Sequence, residues 1–211
     1  MNLTFRNVVR LILGLFLYAL GIALTVQANL GVAPWDAFHQ GLSNMIGITF
    51  GQASIVVGLI IVFFNIILSE KVGIATILNM FLIGLFIDMI FGSGIIQKSN
   101  SIPIGFMMLI TGMFVIAIAT WLYVGAGLGS GPRDGLMVAL TRKTNHTVGL
   151  IRSLIELTAL ILGASLGGQI GIGTAILAFC IGPIVQITFK LLKFNIREVE
   201  HTYIVRSKAS Q

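Results

Sequence analysis

Four of the seven acidic residues in this 211-residue chain fall at positions where a charge in apolar surroundings would need a role. Asp36 and Asp134 each follow a proline by two residues, whereas Asp88 and Glu156 lie inside long apolar stretches. Ionisable side chains at membrane depth usually face a protein interior or an aqueous cavity, where they bind or move ions. With the basic residues beside them, the candidate set for binding a charged solute or a coupling ion is Asp36, Asp88, Asp134, Glu156, Arg152 and Arg133.

Most of these residues also have a purely structural interpretation. Asp36 and Asp134 would each stand in the first turn of a helix, where a carboxylate can cap free N–H groups. Arg133 could pair with Asp134, but the equivalent position in the repeat described below is tryptophan, which favours a simple cytoplasmic charge. Asp88 lies late in its apolar stretch and could stand at the membrane interface.

Glu156 is a candidate functional residue because it is predicted to lie deep in the membrane. It lies about nine residues into a predicted span, which at about 1.5 Å per residue is near mid-depth. Arg152 precedes it by one helical turn on the same face, so the two side chains can meet. Both a structural ion pair and a functional charge fit this spacing.

Three further residues are expected to have ordinary roles. Trp35 is predicted to anchor the chain at the membrane interface. His39 has no ligand partner at helical spacing and is expected to be solvated or to cap a helix, although an imidazole can titrate near neutral pH. Cys180, the single cysteine, is expected to be a small apolar core residue.

Catalytic and cofactor chemistry is not expected from this sequence. It contains neither a nucleophile elbow nor a phosphate-binding glycine loop. Its histidines, His39, His146 and His201, are far apart, and one cysteine cannot form a zinc cluster. We therefore predict no enzyme activity, no metal site and no cofactor.

The composition places the chain in a lipid bilayer. Apolar residues make up 56% and charged residues only 9%, against about a quarter charged in soluble domains. Stretches of about 20 apolar residues cross the hydrocarbon core, and there they must be helical because every backbone group needs a partner. The predicted spans are 8–28, 52–69, 73–92, 103–125, 148–167 and 172–192. The chain is thus predicted to be an all-α, polytopic membrane protein.

An internal repeat relates the two halves of the chain. Gly31 aligns with Gly129, a shift of 98 residues (129 − 31), and the same shift holds without a gap over 14–89. Glycine, proline, aspartate and threonine recur in fixed order, as they rarely do by chance in an apolar chain. A single membrane domain follows, with repeat 1 at about 8–92, a linker at about 93–102, repeat 2 at about 103–192 and a cytosolic tail at 193–211.

The basic residues predict the orientation of the spans. If the N-terminus is cytoplasmic, twelve of the thirteen basic residues fall on the cytoplasmic side and only Lys98 lies outside. Three spans per repeat then give the halves opposite orientations. Outward-loop residues of repeat 1 have basic counterparts in the inward loop of repeat 2, and these pairs are Trp35/Arg133, Asn44/Arg142, Met45/Lys143 and Ser54/Arg152. The predicted fold is a 3+3 inverted-topology repeat with both termini in the cytoplasm.

A short helix is predicted between the first and second spans of each repeat. A glycine suited to ending a helix precedes Pro34 in one copy and Pro132 in the other, and proline suits the first turn of a new helix. The segments 34–46 and 132–143 are therefore expected to be short helices. Each would be either amphipathic at the interface or re-entrant into the membrane.

These paired loops are similar to those of a known family. The segments Leu-Gly-x-x-Pro-Trp-Asp at 30–36, Leu-Gly-Ser-Gly-Pro-Arg-Asp at 128–134 and Gly-Ile-Gly-Thr at 171–174 resemble the bacterial YczE/YitT-type integral membrane proteins. The resemblance covers roughly residues 8–195. It implies a bacterial membrane protein of this fold, and it implies no activity or ligand set.

The function expected from the residues is that of a small secondary transporter or permease. It would work by alternating access around a site between the third, fifth and sixth spans and the two Pro-x-Asp loops, where helix N-termini suit an anionic group. The alternatives are a non-transporting membrane partner with a regulatory or scaffold role and the substrate-binding subunit of a larger importer. Expected partners are the lipid bilayer, an unknown small-molecule substrate and either a second copy or another membrane protein, in the inner (cytoplasmic) membrane. Nucleic acid is not expected, since the net charge of +6 is explained by topology.

Overall fold

A computed structural model describes residues 5–129, 131–194 and 199. These residues form eight helices and no strand. In chain order the helices are α1 (Phe5–Gln27), α2 (Pro34–Ile46), α3 (Phe50–Ile67), α4 (Ile74–Ser93), α5 (Ile102–Val124), α6 (Pro132–Thr144), α7 (Val148–Ser165) and α8 (Ile172–Leu191).

Six of the helices are long and apolar enough to cross a membrane. They are α1, α3, α4, α5, α7 and α8, which confirms the six predicted spans within a few residues at each end. The other two, α2 and α6, have 13 residues each, which at about 1.5 Å per residue is too short to span the hydrocarbon core.

The local sequence explains where the short helices begin and end. Pro34 and Pro132 occupy the first turns of α2 and α6, where a missing N–H leaves no hydrogen bond unmade. Both helices end in a left-handed residue, Gly47 in α2 and Asn145 in α6. The two predicted short helices are thus confirmed as helices.

The helix boundaries of the two halves follow the 98-residue shift. Helices α6, α7 and α8 begin and end 98 residues after α2, α3 and α4, and α5 follows α1 within one residue of the same shift. The last helices of the two halves, α4 and α8, also start alike. The hydroxyl of Thr76 accepts from the N–H of Gly73 at the start of α4, and Thr174 does the same for Gly171 at the start of α8.

The two halves also contact each other through equivalent residues. The N–H of Gly173 at the start of α8 donates to the carbonyl of Leu30 at 2.7 Å. In return, the N–H of Ala75 at the start of α4 donates to the carbonyl of Leu128 at 3.0 Å. Positions 30 and 128 are equivalent, as are 75 and 173. Each half therefore donates the same backbone hydrogen bond to the other.

The core of the molecule lies where α1 packs along α5, with α4 against α1 and α8 against α5. Glycines allow the close approach of α1 and α5. A Cβ on Gly14 would lie 2.8 Å from the backbone nitrogen of Tyr123, and one on Gly112 would lie 2.7 Å from the Thr25 side chain. Positions 14 and 112 are equivalent, as are 25 and 123, so this central contact is reciprocal too.

Candidate functional site

A group of polar and aromatic side chains lies where α2 and α6 approach each other in the interior. Residues of α1, α2, α5, α6 and α7 contribute to it through contacts and electrostatic interactions. We call this group the central cluster, and its members are Tyr18, Trp35, Asp36, His39, Tyr123, Arg133, Asp134 and Glu156.

Helix α2 contributes an acidic and a basic side chain that are both almost fully buried. Asp36 is 4% exposed and His39 is 2% exposed. The Asp36 Oδ1 atom and the His39 Nδ1 atom lie 3.6 Å apart, one helical turn from each other, and neither has a hydrogen-bond partner within the described part of the chain. Buried polar atoms without partners are uncommon, and a bound water or ion is one explanation for them.

Helix α6 contributes Arg133, whose guanidinium joins the two short helices. It lies over the ring of Trp35, with 4.7 Å between its carbon and the ring centroid. One of its N–H groups is 3.4 Å from His39 Nε2. A guanidinium over an indole face is a favourable cation–π contact. Trp35 and Arg133 are equivalent positions of the repeat, so the two halves meet here at one point.

The Trp35 ring is held in an apolar setting between two spans. It packs against Val57 and Ile61 of α3 and Ala159 of α7. The expectation that Trp35 is an interfacial anchor is therefore wrong, because its ring is buried among helices. Arg133 is likewise more than a cytoplasmic surface charge, since it reaches into the interior and contacts that ring.

Asp134 and Tyr123 stand together at the start of α6. A Cβ on Gly131, the residue that precedes the helix, would lie 3.5 Å from Asp134 Oδ2 and 3.8 Å from the Tyr123 hydroxyl. The Tyr123 ring meets Tyr18 of α1 edge to face, with 5.9 Å between centroids. The electrostatic interactions of Tyr18 extend to Arg133, Asp36 and Asp134, so α1 and α5 border the cluster with tyrosines.

Glu156 of α7 lies within electrostatic range of the cluster. It interacts electrostatically with Arg133, Arg152, Asp36 and Asp134. Its side chain is partly buried, whereas Arg152, one turn earlier, is exposed. Of the charged groups within the cluster, three are carboxylates and one is a guanidinium. Such an excess of negative charge in an apolar setting favours binding of a proton or another cation.

Five of the six residues predicted as a site are thus brought into one electrostatic neighbourhood, and Asp88 is not. Asp88 of α4 accepts hydrogen bonds from the hydroxyl of Thr49 and, at 2.8 Å, from the N–H of Gly51. It therefore caps the first turn of α3. Of the elements expected around the site, α7 and the two short helices supply members of the cluster, whereas α4 and α8 supply none. Helices α1 and α5, which were not expected there, each add a tyrosine.

Two residues that the sequence placed in ordinary roles have different surroundings. His39 was expected to be solvated or to cap a helix, but it is buried beside Asp36, which precedes it by three residues. Cys180 was expected in the core, but it is exposed on α8. The two tyrosines of the cluster carried no signal in the sequence, since their counterparts, Ile116 and Thr25, are not tyrosines.

The helices that close the first half pack tightly. A Cβ on Gly51 of α3 would overlap the carbonyl oxygen of Gly84 in α4, and a Cβ on Gly84 would lie 2.6 Å from the carbonyl oxygen of Gly51. Further along, Gly58 of α3 lies against the Met80 side chain of α4. Together with the hydrogen bonds that Asp88 accepts, these contacts hold α3 tightly against α4, and we call this pair sealed.

The equivalent helices of the second half are apart. Among the described residues, α7 and α8 make almost no contact with each other. A Cβ added at Gly149 or Gly182, the counterparts of Gly51 and Gly84, would meet nothing within 4 Å. Thr147 and Gln186, the counterparts of Thr49 and Asp88, are both exposed. The two halves thus have the same arrangement of helices along the chain. They differ in that the last two helices pack together in the first half and are apart in the second.

A metal site is not formed by the part of the chain that the structure describes, since no group of three His, Cys, Asp or Glu side chains there could hold an ion. The cluster offers groups that can bind charged species. Arg133 and the helix N-termini offer donors to an anionic group, and Asp36, His39 and Glu156 offer places for a proton.

Comparison with known proteins gives uncharacterised relatives of similar length. The chain is 40% identical over 177 residues to the uncharacterized membrane protein YczE of Bacillus subtilis (strain 168), covering 82% of this chain and 80% of that protein. It is 31% identical over 172 residues to the uncharacterized protein YyaS of the same strain, covering 81% and 85%. It is 28% identical over 188 residues to an uncharacterized protein of Haemophilus influenzae, covering 89% and 85%. No solved structure matches it.

The family model that matches spans almost all of the helical part of the chain. Residues 5–190 match the family of unknown function DUF6198, a range that runs from α1 into α8. With the relative YczE and the six apolar helices, this match makes the chain a multi-pass membrane protein of the YczE type. The chain belongs to the DUF6198 family.

Proposed function

We propose that this protein is a small secondary transporter that works by alternating access between two inverted halves. The observation that carries the proposal is the difference between two equivalent pairs of helices, of which α3–α4 is sealed and α7–α8 is open. In a transporter built from inverted repeats, one pathway is closed while its counterpart is open, and exchange of the two states moves the solute.

The reciprocal contacts support an inverted relation between the halves. Leu30 with Gly173 and Leu128 with Ala75 exchange partners across the repeat, and Trp35 contacts its own counterpart Arg133. An approximate twofold axis near this last contact explains both facts. Because each half has three apolar helices, that axis would lie in the membrane plane and α2 and α6 would be re-entrant from opposite sides.

The basic residues support an assignment of the two pathways to the two sides of the membrane. With the N-terminus inside, the Thr49 end of α3 faces outside, and the Thr147 end of α7 faces the cytoplasm. The sealed α3–α4 pair then closes the outer pathway, and the open α7–α8 pair leaves the cluster reachable from the cytoplasm. This assignment is an inward-facing state of a protein in the cytoplasmic membrane.

The residues along α7 and α8 favour a second state in which these helices close. Gly51/Gly84 recurs as Gly149/Gly182, so the same close approach is sterically possible. Where α3 and α4 pair a small residue with a large one, Gly58 with Met80, α7 and α8 reverse the sizes with Glu156 and Ala178. The smaller Ala178 leaves room for Glu156 on closure.

Once its excess of carboxylates is neutralised by a bound proton or other cation, the cluster suits a small solute with an anionic group. Arg133 has N–H donors beyond the one that faces His39, and the N-termini of α2 and α6 add partial positive charge nearby. Such a solute would bind between the two short helices, at the place where the halves meet.

Paired cysteines can test the exchange of the two states. In a Cys180→Ala background, Thr49→Cys with Asp88→Cys should cross-link readily with a short thiol reagent, because these side chains touch in the structure. The equivalent pair, Thr147→Cys with Gln186→Cys, should cross-link only when the second state forms. We expect both pairs to cross-link in membranes. In a protein that carries all four cysteines, cross-linking of one pair should suppress cross-linking of the other pair.

A fixed structure would give a different result. If the 49/88 pair reacts fully and the 147/186 pair never does, under any solute or pH condition, the alternating-access proposal is wrong. The protein would then be better described as a static membrane partner of other proteins. Copurification of an ATPase with the unmodified protein would instead favour a subunit of a larger importer.

A further inference from the structure

We propose that His39 is a proton-binding site whose protonation releases Arg133 from its contact with α2. The inference adds a coupling ion to the proposed transporter, and only its role in transport rests on that function. Proton binding itself follows from the geometry of three side chains, Asp36, His39 and Arg133, and can be tested without knowing the solute.

The contact with Arg133 determines the state of the imidazole. A guanidinium can only donate, so His39 Nε2 at 3.4 Å must be the acceptor and carry no proton. The ring is then neutral, with its proton on Nδ1, which faces Asp36 Oδ1 at 3.6 Å. That separation is too long for a hydrogen bond, which explains why both atoms lack a partner.

A proton taken up by this neutral imidazole can bind only at Nε2, because Nδ1 already carries one. It would add to the lone pair of Nε2, so the ring would become an imidazolium with a donor on each nitrogen. Two cations would then face each other at 3.4 Å in an apolar setting, where their repulsion is weakly screened. The guanidinium must move away, whereas the new charge draws the ring toward the Asp36 carboxylate.

The groups around His39 determine the pH at which the imidazole takes up a proton. Asp36 on α2 and Arg133 on α6 face the imidazole directly. Phe50 of α3 makes a perpendicular ring contact with it at 5.8 Å between centroids. Tyr18 of α1 and Glu156 of α7 interact electrostatically with Asp36 and Arg133. Burial lowers the pKa of His39 below the ordinary 6.5, and Arg133 lowers it too, while Asp36 raises it. The ring, which the contact with Arg133 requires to be neutral, therefore gains its proton at a lower pH than an ordinary imidazole does.

The released guanidinium connects proton binding to the rest of the cluster. Arg133 belongs to the second half and His39 to the first, so their contact ties α6 to α2. The counterpart of His39 is Met137, and the other half has no such site. A proton would break this tie and free the donors of Arg133 for an anionic solute, so proton and solute binding would favour each other.

Tryptophan fluorescence offers a test that needs no substrate. The chain has two tryptophans, so Trp121→Phe leaves Trp35, under the Arg133 guanidinium, as the single reporter. In purified protein we expect a titration of Trp35 emission on acidification, with its midpoint below the ordinary value of about 6.5 for an imidazole. Asp36→Asn removes the group that raises the pKa of His39, and it should move the midpoint to lower pH.

Two histidine variants separate this site from general pH effects. His39→Gln keeps an acceptor for Arg133 without a titratable group and should abolish the transition. His146→Gln, at an exposed position, should leave it unchanged. Retention of the transition in His39→Gln, or its absence from the Trp121→Phe parent, would refute the proposal. If His39→Gln does not fold, an unchanged or raised midpoint in Asp36→Asn would refute it instead. Transport could still fail in a protein that passes this test, so the two proposals can be judged apart.

Discussion

The sealed α3–α4 contact gives the most direct way to push the protein between its two proposed states. Gly51 of α3 lies so close to Gly84 that a Cβ would overlap the carbonyl oxygen there and lie 2.6 Å from the Asp88 carboxyl carbon. In Gly51→Ala, α3 must therefore move away from α4. The backbone of α4 cannot give way as a flexible side chain would, so the sealed arrangement is strained.

The size of this effect can be worked out from two opposing contributions. Replacing a helical glycine by alanine stabilises the helix by about 1 kcal/mol in both states. Overpacking of a close contact costs typically about 1–3 kcal/mol, and this cost falls only on the state in which α3 and α4 are sealed. The equilibrium between the two states should therefore shift by about 5- to 150-fold towards the state with α3 and α4 apart.

Gly149→Ala is a matched control at the equivalent position. A Cβ there meets nothing within 4 Å, so the present state is not strained and gains only helix propensity. By symmetry the same Cβ would obstruct closure of α7 on α8. We expect the two alanine variants to shift the equilibrium in opposite directions although they make the same chemical change.

Cross-linking yields of the paired cysteines measure this shift. Gly51→Ala should lower the rate for the 49/88 pair and raise that for the 147/186 pair, and Gly149→Ala should do the reverse. The reasoning is refuted if Gly51→Ala lowers thermal stability and the 49/88 rate without raising the 147/186 rate. The sealed contact would then be a fixed part of the fold and not one end of an exchange.

Two further predictions concern Glu156 and the orientation of the chain. Glu156→Ala should reduce proton-dependent or solute-dependent exchange at least several-fold while membrane abundance stays near normal, because the Glu156 charge acts on Arg133 and Asp36 and its side chain does not fill the core. Lys208→Ala should change neither quantity. Failure of Glu156→Ala to accumulate in membranes would point to a structural role. Single cysteines in a Cys180→Ala background should be labelled from outside at Asn44 and be protected at Asn145, and the reverse pattern would contradict the proposed topology.

Much of the fold could be predicted because it depends on signals that are local in sequence. Apolar stretches of fixed length defined the spans, and glycine followed by proline defined the starts of α2 and α6. The repeat was visible because a close helix contact or a helix start accepts few residue types. Gly14, Gly112 and the threonines that begin α4 and α8 are examples of positions held to one type by such contacts.

The site was less predictable because it depends on contacts between the halves. Trp35 and Arg133 each resemble an ordinary interfacial or cytoplasmic residue when their own loop is considered alone. Only the fold brings the two positions together, and it does so around the buried His39. No periodicity within α2 distinguishes a solvated histidine from one covered by α3 and α6.

The pairing of Trp35 with Arg133 also explains why the central cluster is unequal in its two halves. A position that lies on the axis between equivalent halves must face its own counterpart. Two arginines there would repel in an apolar setting, and two tryptophans would leave the neighbouring carboxylates without a cation. One aromatic ring and one guanidinium satisfy both demands through a cation–π contact. With this position different in the two halves, the residue that faces it can differ as well, and His39 faces Arg133 in one half while Met137 takes the equivalent position in the other.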